Sequence, residues 1–147
     1  MQTILGLKVE KRLSSAALKK IYACYDDAID SISHPAKSEL NYIEDKIEKK
    51  HSGLMAASSV WVREMALIFY AMYEYIRCCQ KGTDNVSPKS EIALIAAVFY
   101  YVNPFDVIPD HIPGTGFIDD FYVAKCCIKK LKVPERESLE LYLNRLR

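Results

Sequence analysis

Residues 54–80 read LMAASSVWVREMALIFYAMYEYIRCCQ. The segment is long, apolar and free of Gly and Pro, which predicts one helix over Leu54–Gln80. Its polar residues fall on a line. Ser59, Arg63, Tyr70, Glu74, Arg77 and the following Lys81 share a narrow stripe when successive residues turn by 100°. A helix with one polar edge is buried on its other sides. Glu74 is placed to pair with Arg77 or Arg63 along that edge.

Working outward, Gly82–Val86 reads as a loop, and Ser87 with Pro88 reads as the cap and first turn of a fourth helix. Ile92–Val102 is apolar all round, so this helix (88–102) is also central, and Pro104 stops it. Upstream, Ser14 or Ser15 can cap a first helix running to about Ile32. Its apolar residues Leu18, Ile21, Tyr22, Tyr25, Ile29 and Ile32 form a 3.6-residue stripe. Pro35 suits the first position of a second helix, where Ala36, Leu40, Ile43 and Ile47 recur and Glu44 to Lys50 supply a solvated charged face. Ser52-Gly53 ends it. Downstream, a fifth helix starts at Asp119 and turns Phe121, Ala124, Ile128 and Leu131 inward. Pro134 precedes a last helix with Leu139, Tyr142, Leu143 and Leu146. No alternating strand pattern of useful length appears. The fold class is all-α: one domain over 1–147, a bundle of about six helices around two hydrophobic ones, with an N-terminal helical hairpin over 1–53.

Composition agrees with a globular domain. The chain has 147 residues, of which 50% are hydrophobic and 27% charged, with a net charge of +1. Near-neutrality argues against nucleic-acid binding, which needs a basic excess. The N-terminus MQTILGLKVEKRL shows no signal-peptide core, so a cytoplasmic location is expected. The odd set Cys24, Cys78, Cys79, Cys126 and Cys127 suits reduced thiols. Adjacent cysteines on a helix diverge by about 100° and make poor zinc pairs, so they read as small core residues. The apolar runs Met65–Tyr73 and Ile92–Phe105 are too short to span a bilayer. They read as core helices, with a membrane-dipping hairpin as the alternative.

Residues 100–120, YYVNPFDVIPDHIPGTGFIDD, hold the constellation that stands out. Asp106, Asp110, Asp119 and Asp120 lie within 15 residues, and Pro104, Pro109 and Pro113 restrict the Pro/Asp-rich turn (103–118) to few conformations. Two readings of the four acids stand side by side. As turn and cap residues they would accept backbone N–H groups and fix the connection between two core helices. As a cluster of carboxylates they would take a hard cation, Mg²⁺ or Ca²⁺. Lys125, Lys129, Lys130 and Lys132 follow, and this basic stretch could neutralise the acidic turn without a metal. Ile112–Gly116 precedes a helix as a phosphate loop would, but Asp119 and Asp120 at that helix start would repel phosphate. His34, His51 and His111 show no metal-ligand or catalytic spacing.

The string Tyr100-xxx-Pro104-x-Asp106-x-Ile108-Pro109-Asp110-x-Ile112-Pro113-xx-Gly116-xx-Asp119-Asp120 resembles the signature of the bacterial YkvA-like family, a domain of unknown function. The resemblance covers roughly Lys89–Leu131, the core of a motif region over 88–131. It implies a small helical domain with the acidic, proline-rich turn at its centre, in members that are short cytosolic or membrane-associated proteins, and it brings no settled reaction. Tyr100, Pro104, Pro109, Pro113 and Gly116 are its structural positions here. The chain lacks a complete catalytic set, which favours a non-catalytic module that binds an unidentified protein partner, as an inhibitor or immunity-type protein does. The alternatives are a metal-binding protein or metal-dependent hydrolase using the four aspartates, and a peripheral protein of the membrane surface. No cofactor beyond Mg²⁺ or Ca²⁺ is implied.

Overall fold

The computed structural model describes residues 2–9, 13–33, 35–103 and 117–147. A short hairpin, β1 (Gln2–Ile4) and β2 (Leu7–Val9), precedes six helices: α1 (Ser15–Ser31), α2 (Lys37–Met55), α3 (Val60–Gln80), α4 (Pro88–Val102), α5 (Ile118–Lys130) and α6 (Val133–Leu146). The all-α bundle is as the periodicity indicates. α3 packs against α2, α4 and α6, and α4 packs against α1, α2, α3 and α5. These two are the central helices, and they bury the residues with the strongest apolar patterning, among them Ile68, Phe69, Met72, Leu94 and Val98.

The hairpin is an addition to the all-α bundle. Its strands have three residues each, paired antiparallel with Ile4 opposite Leu7, and are too short to show alternation. Leu5 (φ 44°) and Gly6 (φ 86°) make a two-residue turn with both φ positive, which matches the twist of paired strands. β2 rests on α3, and Arg147 clamps the turn, donating to the Leu5 carbonyl (3.2 Å) and the Glu64 carboxylate (3.1 Å).

Helix boundaries shift for local reasons. Ser14 caps α1 through the Ala17 N–H (3.2 Å), one of the two expected caps. α2 starts at Lys37 rather than Pro35, with Ala36 at its cap and no side-chain cap bond. Glu39 of its first turn reaches back to the Ser33 N–H (2.6 Å) and anchors the preceding segment. α2 also runs through Gly53 to Met55, because one helical glycine costs only about 1 kcal/mol. α3 therefore begins at Val60, with Leu54 and Met55 in the helix before it. Glu74 pairs with Arg77 (3.5 Å), while Arg63 turns to the Ala57 carbonyl.

Met65–Tyr73 and the helical part of Ile92–Phe105 spend their apolar surface on each other and on neighbouring helices, which counts against a hairpin dipping into a membrane. Among the described residues no helix is long and apolar enough to cross a bilayer.

One buried carboxylate joins the starts of α4 and α6. Ser87 sits at the cap of α4 but makes no side-chain cap bond. Its N–H donates instead to Glu135 (2.8 Å), as do the Ser90 hydroxyl (2.6 Å) and the Lys132 N–H (2.8 Å). Burial pushes the Glu135 carboxyl up, and these donors outweigh it, holding it down at about 2 against an ordinary 4.5. A carboxyl lowered on folding contributes stability that is complete above pH 4.5 and lost as pH falls toward 2. Urea melts of the wild type should fall through that window. Glu135→Ala should lose about 2–3 kcal/mol at pH 7 and flatten the acid dependence. Equal stability of the two proteins at pH 7 would show that this carboxylate does not join the helices.

Candidate functional site

Three elements meet where the motif begins and ends. α4 delivers Tyr100 and Tyr101 in its last turn, α5 opens with Asp119 and Asp120, and α2 contributes Lys50 near its C-terminal end. Asp119 and Asp120 are 5% and 7% exposed, although both are aspartates at a helix start, where acids normally face water. The Tyr100 hydroxyl donates to Asp119 Oδ2 at 3.0 Å. The Lys50 ammonium donates to the Tyr101 carbonyl and lies over the Tyr101 ring, 4.3 Å from its centroid. The Tyr101 ring stacks on Phe69 of α3, with centroids 4.1 Å apart and planes parallel to 1°. Asp120 is engaged as well.

Burial pushes the Asp119 carboxyl above the ordinary aspartate range. The Tyr100 hydroxyl, backbone N–H groups of the first turn of α5 and the Lys50 charge pull the other way. The free N–H groups and dipole of a helix start also favour a carboxylate there. The Tyr101 hydroxyl is buried and has no hydrogen-bond partner among the described residues. Burial raises its pKa, with the nearby Asp120 charge adding to the effect. Phe117, the residue before α5, holds a left-handed conformation (φ 69°) that costs a non-glycine residue about 1–2 kcal/mol. Its side chain is 37% exposed.

Of the residues singled out from sequence, Tyr100, Asp119 and Asp120 come together. Asp106, Asp110, Pro104, Pro109, Pro113, Gly116 and His111 lie outside the described residues. Among the described residues no cluster of three or more His, Cys, Asp or Glu side chains could hold a metal ion. All five cysteines are free, and burial pushes the Cys79 and Cys127 thiols up to about 12, which keeps them protonated. The arrangement thus carries a buried acid, a phenol donor and a lysine that brace three helices.

Lys130 faces Asp26 of α1 (3.9 Å), and a cation near Asp119 is Lys50. Lys50 corrects its assignment to a solvated face: it is partly buried. A signal for it exists in the sequence. Ile43, Ile47 and Lys50 step by four and three, so Lys50 continues the buried stripe of α2. The charged run around it hid that register.

Residues 92–125 match the model of a family described as "Protein of unknown function (DUF1232)". A 32-residue stretch is 56% identical to "Uncharacterized membrane protein YkvA" of Bacillus subtilis (strain 168). That match covers 22% of this chain and 30% of the relative, so the chain overlaps less than a third of that protein's length. No solved structure matches the chain. The matched region is a YkvA-like segment of unknown function, and it covers most of α4, the residues between α4 and α5, and the first eight residues of α5.

Two substitutions separate the bracing role of Asp119 from its charge. Asp119→Ala leaves the Tyr100 hydroxyl unpaired and should cost about 1–2 kcal/mol. Asp119→Asn keeps an acceptor and removes the buried charge, so it should cost less. The sign of the pH effect is opposite to that of Glu135. A carboxyl raised on folding contributes stability that is complete below its unfolded value of 3.8 and is lost as pH rises. Chemical melts at pH 3–7 check both points, and equal losses for Ala and Asn would contradict the account.

Proposed function

We propose that this chain is a non-catalytic protein–protein interaction module whose contact surface is the motif end of the bundle. The observation that carries this reading is the inversion of polarity at that end. The acids Asp119 and Asp120 are buried and engaged, while Met55, Val60 and Phe117 are 37%, 64% and 37% exposed. Chain connectivity places all three at one end. Met55 closes α2 a little over one turn after Lys50, Val60 opens α3, and Phe117 precedes the turn of α5 that bonds Tyr100. Exposed apolar side chains on a rigid frame suit partner contact. The left-handed Phe117 is the strained residue of this surface, and such strain gathers at binding positions.

Phe117→Gly separates folding from binding. Glycine takes φ 69° without strain, so the variant should keep or raise its thermal midpoint while losing the exposed ring. Proteins captured by the wild type are then purified and titrated directly against wild type, Phe117→Gly and Met55→Ser/Val60→Ser. The reading expects a tenfold or greater loss of affinity in both variants. A captured protein that binds both variants as it binds the wild type would refute it.

A peripheral membrane reading has a specific observation of its own: the same apolar end, together with the words "membrane protein" in the name of the matched relative. Sedimentation with anionic phosphatidylglycerol vesicles, lost on Met55→Ser/Val60→Ser, would favour it over the first. Thermal melts in EDTA and then in Mg²⁺ or Ca²⁺ address the four-aspartate metal reading. A cation at 100 times its Kd adds about 2.7 kcal/mol, and a rise abolished by Asp119→Asn would move the assignment to metal binding.

A further inference from the structure

A second feature lies away from the motif end. Two hollows of about 320 Å³ and 410 Å³ share Lys37, Leu40 and Gln80 and so form one groove across α2, α3 and α4. Its floor is aliphatic: Ile32, Leu40, Ile76, Ile92 and Ile95. Its charge is unevenly distributed. Lys37 lines both lobes; the lobe between α2 and α3 adds Arg77 and Lys81 against Glu44, whereas the lobe toward α4 adds Ile32, Ile92 and Ile95 and one acid, Glu91.

We propose that this groove binds a single-chain amphiphilic anion, its acidic head at the Lys37–Arg77–Lys81 lobe and its apolar chain over Ile92 and Ile95. The size is that of a small-molecule site. Complementarity argues for the orientation. Arg77 is held at the wall, its guanidinium 5.5 Å from the Tyr73 ring and 3.5 Å from Glu74, so part of its charge is already met. Lys37 and Lys81 are exposed and form no ion pair among the described residues. Their stems can lie along apolar ligand surface while the ammonium groups reach the head. A cationic amphiphile would meet like charge, and a small anion alone would leave the aliphatic floor in water.

Calorimetric titration of the full chain with sodium laurate, below its micellar concentration, tests the proposal. Decyltrimethylammonium, acetate and a Glu/Leu amphipathic peptide serve as comparisons. Saturable one-to-one laurate binding is expected, with the cationic amphiphile and acetate at least tenfold weaker. Lys37→Gln/Lys81→Gln, both on the surface, should weaken laurate at least tenfold while circular dichroism stays unchanged. Ile92→Glu should weaken it similarly. Absence of saturable laurate binding, equal uptake of decyltrimethylammonium, or a lysine double variant that binds as the wild type does would overturn the proposal. Tighter binding of the peptide than of laurate would also overturn it, assigning the groove to a protein.

Discussion

A helix that is apolar on every side has nothing on its surface to fix its rotation or its height in a core, and α4 is such a helix. The structure meets this constraint with polar ties at its ends and middle. At the N-terminal end, Ser87 and Ser90 are bound to Glu135 of α6. In the middle, the Tyr25 hydroxyl of α1 donates to the Ala93 carbonyl at 2.7 Å. At the C-terminal end, Tyr100 is bound to Asp119 of α5, and the Tyr101 carbonyl to Lys50 of α2. Hydrophobic burial supplies most of the drive to fold, but it is non-directional. Buried polar groups that are satisfied in one arrangement only select that arrangement.

The two carboxylates in this set are tuned in opposite directions. Glu135 gathers three donors, and they outweigh the cost of burial, so it remains charged down to about pH 2. Asp119 is just as buried, but its donors and the Lys50 charge do not offset that cost in full, and its carboxyl stays raised. The difference makes the motif end the more finely balanced end of α4. The same end carries the strained Phe117 and the exposed Met55 and Val60, so the least settled polar group and the exposed apolar surface coincide.

Much of this frame was legible in the chain itself. The 3.6-residue stripes of Ile21/Tyr25 and Ile43/Ile47, and the all-round apolarity of 92–102, are local patterns that survive in the packed bundle because burial is what they encode. Asp119 and Asp120 were legible as members of a constellation, but their burial was not, since an aspartate at a helix start is ordinarily solvated. Lys50 was hidden by its charged neighbours, although its register with Ile43 and Ile47 marks it. Glu135 was unreadable because its donors Ser87 and Ser90 lie over 40 residues away. The N-terminal hairpin escaped notice because three-residue strands have no periodicity to read.

The most direct test of the bracing role of the motif is a double-mutant cycle between Tyr100→Phe and Asp119→Ala, read from urea unfolding at pH 7. If the hydroxyl and the carboxylate tie α4 to α5, the two changes should be non-additive, with a coupling of about 1–2 kcal/mol. Additivity to within about 0.5 kcal/mol would mean that they act independently and that the motif acid is not what holds the end of α4 in place.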